Sequence, residues 1–488
     1  MIPVLLLLVP LLSGLLGFFI KEEKIARAWS LIASLLVLAV SLAGLTVYKS
    51  PEHLQTNIEW LPILGSRFHV ALDGMGQLLS LLTAVAFPLI FISTYYTSYP
   101  RARSFYALML LSQAGLMGVF IAMDALLFYF FWELALIPAY FLCSIWGGEK
   151  RIAVTFKFFI YTFLGSLFML IGIIYLYFQT PDLSFSINAF YSLKLSNDQQ
   201  AWIFWLIFIA FAVKMPLVPF HTWQPDTYEQ APTATTMVLS GIMVKMGVFG
   251  VIRWLAPVVP EGFWGWGDAG AFFCMFGMVY ASILAIQQDD LKRLIAYSSI
   301  AHIGLMCLAI FSTTKTGMQG VMIQMFSHGI NIIGLWIVVE IIERRYKTRK
   351  ISELGGLAQK APVLTIMLVI IALANISLPL TNAFVGEFLM FTGVFTSNVS
   401  QYNYIYTAVS GLTIILSAVY MLNMIQKVFY GNTHFFTAQA TDIRLNEKLV
   451  LGIVVVLIIA FGVYPQPMLD LTESTVDSIL KRMITKHP

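Results

Sequence analysis

The chain has 488 residues, of which 59% are hydrophobic and 11% charged. Soluble domains carry about 25% charged residues, and mean hydropathy here is +0.82, so soluble globular, disordered, fibrous and disulfide-stapled classes are excluded. The net charge of +4 sits in loops, where it speaks to membrane topology and gives no sign of nucleic acid as a partner.

Backbone polar groups in lipid have to be satisfied within their own segment, so long apolar runs read as helices. About 14 such runs are predicted, at 2–20, 27–47, 75–95, 104–121, 125–146, 152–178, 201–222, 232–256, 263–287, 292–311, 317–342, 362–396, 402–429 and 448–465. The opening MIPVLLLLVPLLSGLLGFFI lacks a basic n-region and a small-residue cleavage site, and reads as a retained helix. The run 362–396 is too long for one straight span and is interrupted around Pro379. Lys and Arg favour the odd-numbered loops (Lys21, Lys24, Arg27, Arg101, Arg103, Lys150, Arg151, Lys292, Arg293 and the stretch 344–360 among them). Even-numbered loops hold only Lys49, Arg67, Lys194, Arg253 and Lys315. Odd loops are therefore expected in the cytoplasm and both termini outside. The tail 466–488, with Lys481, Arg482 and Lys486, is amphipathic and reads as an interfacial end. Cys143, Cys274 and Cys307 lie singly in apolar runs, without CxxC or Cys/His spacing, so neither a metal site nor a disulfide is expected.

Some charges fall inside the apolar runs: Lys157, Lys214, Lys245, Glu133 in FYFFWELALIPAYFL and Glu387 in AFVGEFLMF. Each costs about 2.5–3.5 kcal/mol at a helix centre. Such residues face the bundle interior, pair with each other, and mark ion or proton paths. Lys157 lies close enough to Lys150 and Arg151 for its stem to snorkel to the cytoplasmic edge. Glu133, Lys214 and Lys245 are central and have no interface in reach. Glu387 follows a helix break, where a wet irregular pocket is the bland alternative. YSSIAHIG adds Ser298, Ser299 and His302, and QMFSHGIN adds Gln324, His328 and Asn331. A lone membrane histidine is often only an interhelical hydrogen bonder. Two on consecutive helices, between buried lysines and a buried glutamate, suit a proton relay.

Pro216 and Pro219 follow Lys214 and break that helix. ANISLPLTNAF makes a second break, with Asn375, Ser377, Pro379, Thr381 and Asn382. The breaks occupy corresponding places in two five-helix blocks, spans 4–8 and 9–13. A block with an odd number of spans inverts orientation, and paired broken helices point to a transport site near the midplane. The expected fold is an all-α polytopic membrane protein of about 14 helices with two inverted five-helix repeats. Helices 1–3 fill 1–103, the repeats 104–258 and 259–430, and the last span and tail 431–488.

KMPLVPFHTWQPDTYEQAPTATTMVLSGIMVKMGVFG resembles the signature of the antiporter-like proton-pumping subunits of respiratory complex I, the proton-translocating NADH:quinone oxidoreductase. QQDDLKRLIAYSSIAHIG resembles the second signature of that group. The resemblance covers nearly the whole chain and is weakest before about residue 75 and after 430. FFWELALIPAYFLCSIWGGEKR and RIAVTFKFFIYTFLGSLFML resemble the M type (mitochondrial subunit four). Glu387 in FVGEF agrees, because L-type and N-type subunits are expected to carry lysine there. Length agrees too, since L-type chains add a long lateral helix. QPDTYEQAP departs from the LPDAH-like wording of the M type toward that of the N type. The resemblance implies that Glu133, Lys214, Lys245 and Glu387 carry the pump, with His302 and His328 as relay histidines. It implies no cofactor in this chain, with NADH, FMN, iron–sulfur clusters and quinone in partner subunits. It also implies L-type and N-type membrane neighbours, and the absence of a transit peptide suits a bacterial inner membrane.

The implied mechanism is proton transfer. Burial and pairing pull a lysine's protonation in opposite directions. Separating Glu133 from Lys214 would release a proton toward Lys245, and His302, His328 and waters would carry it to Glu387. Rival readings are a subunit of a multi-subunit cation/proton antiporter, the membrane arm of a hydrogenase or formate-oxidising complex, a standalone solute carrier, and a structural scaffold. Partner subunits separate the first two; transport by the isolated chain would favour the third.

Overall fold

The computed structural model describes residues 1–438 and 440–484. Two helices open it, α1 (Ile2–Gly17) and α2 (Glu23–Thr46), followed by a hairpin of β1 (Gln55–Leu61) and β2 (Ser66–Ala71). Then come α3 (Gly74–Ser93), α4 (Ala102–Ile121), α5 (Ala125–Trp146) and α6 (Arg151–Gln179). The first broken pair is α7 (Asn197–Lys214) and α8 (Trp223–Gln230). After it run α9 (Thr233–Leu255), α10 (Gly267–Ile286), α11 (Leu291–Phe311) and α12 (Lys315–Tyr346). The second broken pair is α13 (Pro362–Asn375) and α14 (Asn382–Phe395). α15 (Asn403–Phe429), α16 (Leu445–Val463) and α17 (Gln466–Ile484) complete the chain. The protein is a multi-pass membrane protein. Eleven described helices are long and apolar enough to cross a bilayer, and α1, α13 and α14 are shorter apolar helices.

Burial sorts the helices into layers. The spanning stretch of α9 is wholly buried, and those of α11 and α12 are 94% buried, so polar side chains on them cannot face lipid. α2, α6, α15 and α16 present exposed aliphatic and aromatic side chains such as Ile32, Phe156, Ile415 and Val456. Helices meet closely where glycine removes the side chain. A Cβ on Gly393 of α14 would lie 2.4 Å from the Cα of Gly317 on α12.

Both breaks close in the same way. The Leu217 N–H donates to the Ala212 carbonyl at 2.9 Å, and the Leu378 N–H to the Leu373 carbonyl at 3.0 Å. Lys214 and Asn375, each two residues beyond the acceptor, thus hold the same place in the two discontinuities. These wide turns take up carbonyls that a terminating helix leaves unpaired. The indole N–H of Trp223 takes another, that of Val213, at 3.0 Å. α9 carries two π-helical segments, Leu239–Met243 and Val251–Leu255.

Two features differ from the sequence reading. The hairpin pairs Gln55 with Ala71 through Glu59 with Arg67. A search for long apolar runs passes over such short half-polar strands. Gly65 turns it with φ +65°, where an added Cβ would meet the Leu183 carbonyl at 2.0 Å. The tail helix α17 lies on protein. It buries Met468, Thr472, Val476, Ile479 and Met483, and its Thr475 hydroxyl accepts from the Gly74 N–H at 3.0 Å. Lys315 at the start of α12 pairs with Glu473 at 2.8 Å and Asp477 at 2.9 Å. Lys486 lies outside the described residues.

Candidate functional site

α5 and α7 bring the first charges together. Glu133 sits mid-helix on α5, and Lys214 is the last residue of α7, its ammonium 5.3 Å from the ring centroid of Trp132. Cation–π contact of this kind holds an ammonium without a counter-ion. Lys214 is buried, and neither its Nζ nor Glu133 Oε1 has a protein hydrogen-bond partner. Glu133 is the charged group that acts on Lys214 electrostatically, short of a direct ion pair.

A second group lies in line. Lys245 follows the first π segment of α9, and its Nζ donates to the Ser240 carbonyl at 2.8 Å. The same Nζ lies 2.8 Å from His328 Nδ1 on α12. The His328 and His302 rings are 5.5 Å apart, tilted by 53°. His302 Nδ1 on α11 lies 3.0 Å from Glu387 Oε1 on α14, and Gln324 Nε2 donates to the same oxygen at 3.3 Å. The structure therefore lines up Lys245, His328, His302 and Glu387, with hydrogen-bond contact at the two ends and adjacent rings, without a hydrogen bond between them, in the middle. Glu133 and Lys214 form a separate neighbouring pair. No direct bond links Lys214 to Lys245 among the described residues. α7 and α9 nevertheless touch there: a Cβ on Gly247 would lie 2.7 Å from the Phe211 carbonyl.

Other polar groups surround this line. Gln113, Gln224, Tyr228, Asn331 and Asn382 are buried with side-chain polar atoms that no protein group pairs. Buried polar atoms in native proteins are satisfied by protein or water, so these groups suit bridging waters. Sequence reasoning singled out Asn331 and Asn382 but passed over Gln113. Neutral amides carry no charge signal, and one amide in an apolar run is ordinary.

Lys157, its side chain 35% exposed, ends in a charge cluster that includes Arg293. Its Nζ bonds the Thr222 carbonyl at 2.9 Å and Asp226 Oδ2 at 2.8 Å, which fastens it to the broken helix. Asp226 also pairs with Arg293 at 3.1 Å, and Glu229 with Arg293 at 2.9 Å and Arg349 at 3.2 Å. This clamp holds α8 against the start of α11 and the loop after α12. Arg253, assigned to a loop from sequence, lies within α9, buried and paired with Asp73. The charge falls inside the run 232–256 but close to its end, where a loop position is the cheaper reading. Among the described residues, no cluster of three His, Cys, Asp or Glu side chains could hold a metal ion.

The architecture and the line of ionisable groups have counterparts. The model of the NADH:quinone oxidoreductase/Mrp antiporter transmembrane family matches residues 122–413. The chain belongs to that family. NADH-quinone oxidoreductase subunit M of Rickettsia typhi is 35% identical over 96% of this chain and 97% of its own length. F(420)H(2) dehydrogenase subunit M of Methanosarcina mazei is 34% identical over 98% of both chains. A chain of respiratory complex I from Thermus thermophilus superposes with TM-score 0.91 at 27% identity, covering 99% of this chain and 100% of that one. Family, length and architecture thus place the chain among the membrane subunits of NADH-quinone oxidoreductase, of the M type. All six motif-derived positions fall inside the family-matched stretch.

Proposed function

We propose that the chain moves protons across the membrane along Glu133, Lys214, Lys245, His328, His302 and Glu387, driven by quinone reduction elsewhere in the complex. The observation that carries this reading is the alignment of Lys245 on His328 and of His302 on Glu387, with the two imidazoles 5.5 Å apart and both Nε2 atoms unpaired by protein, where a water can bridge. Ionisable groups at membrane depth are retained where they conduct or bind, and a histidine can accept at one ring nitrogen while donating from the other. Lys214 then acts as the variable member. When Glu133 draws near, the ammonium keeps its proton; when the pair separates, desolvation favours release toward Lys245. A change of one pK unit corresponds to about 1.36 kcal/mol, or tenfold in occupancy. The two discontinuous helices supply the compliance and the wet cavity.

In this reading the helices form two inverted repeats, 104–258 and 259–430, within about 14 crossings. The termini lie outside a bacterial inner membrane, following the charge bias of the loops. L-type and N-type subunits flank the chain, and partner subunits hold NADH, FMN, iron–sulfur clusters and quinone. The name of the Methanosarcina mazei relative favours a second reading, in which a different electron donor feeds the same membrane arm. Co-purification from solubilised membranes separates the two.

Lys214→Ala and Glu133→Ala test the path in inner-membrane vesicles. Both variants should assemble, and both should lose most proton pumping and coupled quinone reduction. Pumping at the wild-type rate by either would reject it.

A further inference from the structure

Arg253 is a buried charge that the proposed path does not use. It sits in the second π segment of α9, two turns beyond Lys245 on the same helix and about 12 Å along its axis. Its guanidinium pairs with Asp73 at the start of α3 and lies 5.5 Å from the Phe249 ring centroid, while its Nε has no protein partner. Tyr191 donates its hydroxyl to the Arg253 carbonyl at 2.9 Å, and Arg482 of α17 sits 4.6 Å over the Tyr191 ring. The side chain of Arg253 is 7% exposed and that of Asp73 28%. The cation is therefore the more deeply buried partner and the carboxylate the more accessible one.

The other half of the molecule has the opposite character at the same end. A cavity of about 10 Å³ beside His302 and Glu387 is lined by Thr413, Ser417 and Tyr420, room for about one water. Where the same three helices meet the start of α10, a cavity of about 40 Å³ is lined by Asp268, Ser312, Ser397 and Tyr406 and by no cation. Hydroxyls thus lie beside Glu387, and hydroxyls with a carboxylate line a separate cavity nearer that end, whereas a guanidinium paired with Asp73 stands beyond Lys245.

We propose that Arg253 is an electrostatic stop, which keeps a proton on Lys245 from leaving through the outer end of the first repeat and so directs it to His328. A guanidinium does not deprotonate in a protein, so the stop does not titrate. A cation at a constriction repels protons and other cations. The inference rests on the proton path proposed above; Arg253 is a positioning residue in it.

The test is the passive decay of an imposed proton gradient across inner-membrane vesicles, with quinone reduction inhibited. Arg253→Gln should speed the decay several-fold, and adding Lys245→Met should abolish that increase. Asp73→Asn breaks the same ion pair but leaves the cation, and should decay at the wild-type rate. A role limited to tying helix ends together would move both variants alike. Arg253→Met combined with Asp73→Leu removes both charges without stranding a buried carboxylate, and should leak as Arg253→Gln does. If Arg253→Gln fails to assemble, the double variant decides. Wild-type decay in the assembled charge-free variants, or an equal leak from Asp73→Asn, would overturn the stop. Decay is read without turnover, so that outcome leaves the pumping reading intact. Normal pumping by Lys214→Ala would instead reject the path on which the stop rests, an outcome the decay measurement does not produce.

Discussion

At Lys245 the backbone prepares the chemistry. An α-helix commits each carbonyl to the N–H four residues on, but the π segment Leu239–Met243 widens the turn just before this lysine. The Ser240 carbonyl, five residues back, receives the ammonium at 2.8 Å. That bond orients Nζ toward His328, and π turns recur at functional sites for such reasons. The next link is more exposed to failure, because among the described residues His302 is the only ionisable side chain between His328 and Glu387. His302→Leu removes both ring nitrogens and keeps an apolar side chain of helical preference. The expected result is an assembled complex whose pumping falls by at least about tenfold, the equivalent of one pK unit. Gradient formation by vesicles containing the variant checks it. A rate within twofold of wild type would mean that protons pass between His328 and Glu387 without this ring.

Elements place these residues by means of unequal legibility. The broken helices were legible because proline cannot donate and clashes with the preceding turn, and Pro216, Pro219 and Pro379 stand where the chain unwinds. The close crossing of α12 and α14 was not. Gly317 and Gly393 read as ordinary glycines in apolar sequence, and only the packing reveals that each makes room for the other. That crossing holds Gln324 and Glu387 within 3.3 Å. The start of α13 depends on a distant residue in the same way. Asp442, in the loop before α16, accepts from the N–H groups of Val363 at 2.9 Å and Leu364 at 3.1 Å, and so caps α13 from outside. Burial alone would raise its carboxyl, but the backbone N–H groups of Val363, Ile443 and Leu364 and the charge of Lys448 hold it below 3.8. A lowered folded value stabilises the docked loop fully above 3.8, and the contribution is lost as pH falls through the folded value. Asp442→Ala should cost about 1 kcal/mol at neutral pH, as caps do. Faster hydrogen exchange at Val363 and Leu364 checks this, and acidification should abolish the difference from wild type. Unchanged exchange would mean that α13 needs no such cap.

On the scale of the whole molecule, the spans, the breaks and the six charged or imidazole positions could be read from sequence because lipid makes each of them costly. Surface ion pairs carry no such penalty, so the clamp over α8 was invisible: Asp226, Glu229, Arg293 and Arg349 look like ordinary polar-segment charges, and Lys157 like a lone snorkelling one, until the chain is folded. The clamp is also the contact that ties the two halves at one face. Arg349 pairs with Glu229 of the first broken helix at 3.2 Å, with Glu343 at 3.1 Å, and with Asp290. One planar guanidinium serves three carboxylates, a geometry that an ammonium cannot reproduce. The Arg349 side chain is 23% exposed, so solvent screening reduces what the network contributes. Arg349→Gln should therefore loosen α8 by about 1–2 kcal/mol. An opening equilibrium shifted by about 1.4 kcal/mol exchanges tenfold faster. Hydrogen exchange over 223–230 should accelerate by that order, with Arg349→Lys intermediate, while 382–395 keeps its wild-type rate. High salt should narrow the difference, because partly exposed pairs are screened. Acceleration spread evenly over both broken helices would show that the arginine supports the bundle as a whole and does not clamp the first discontinuity.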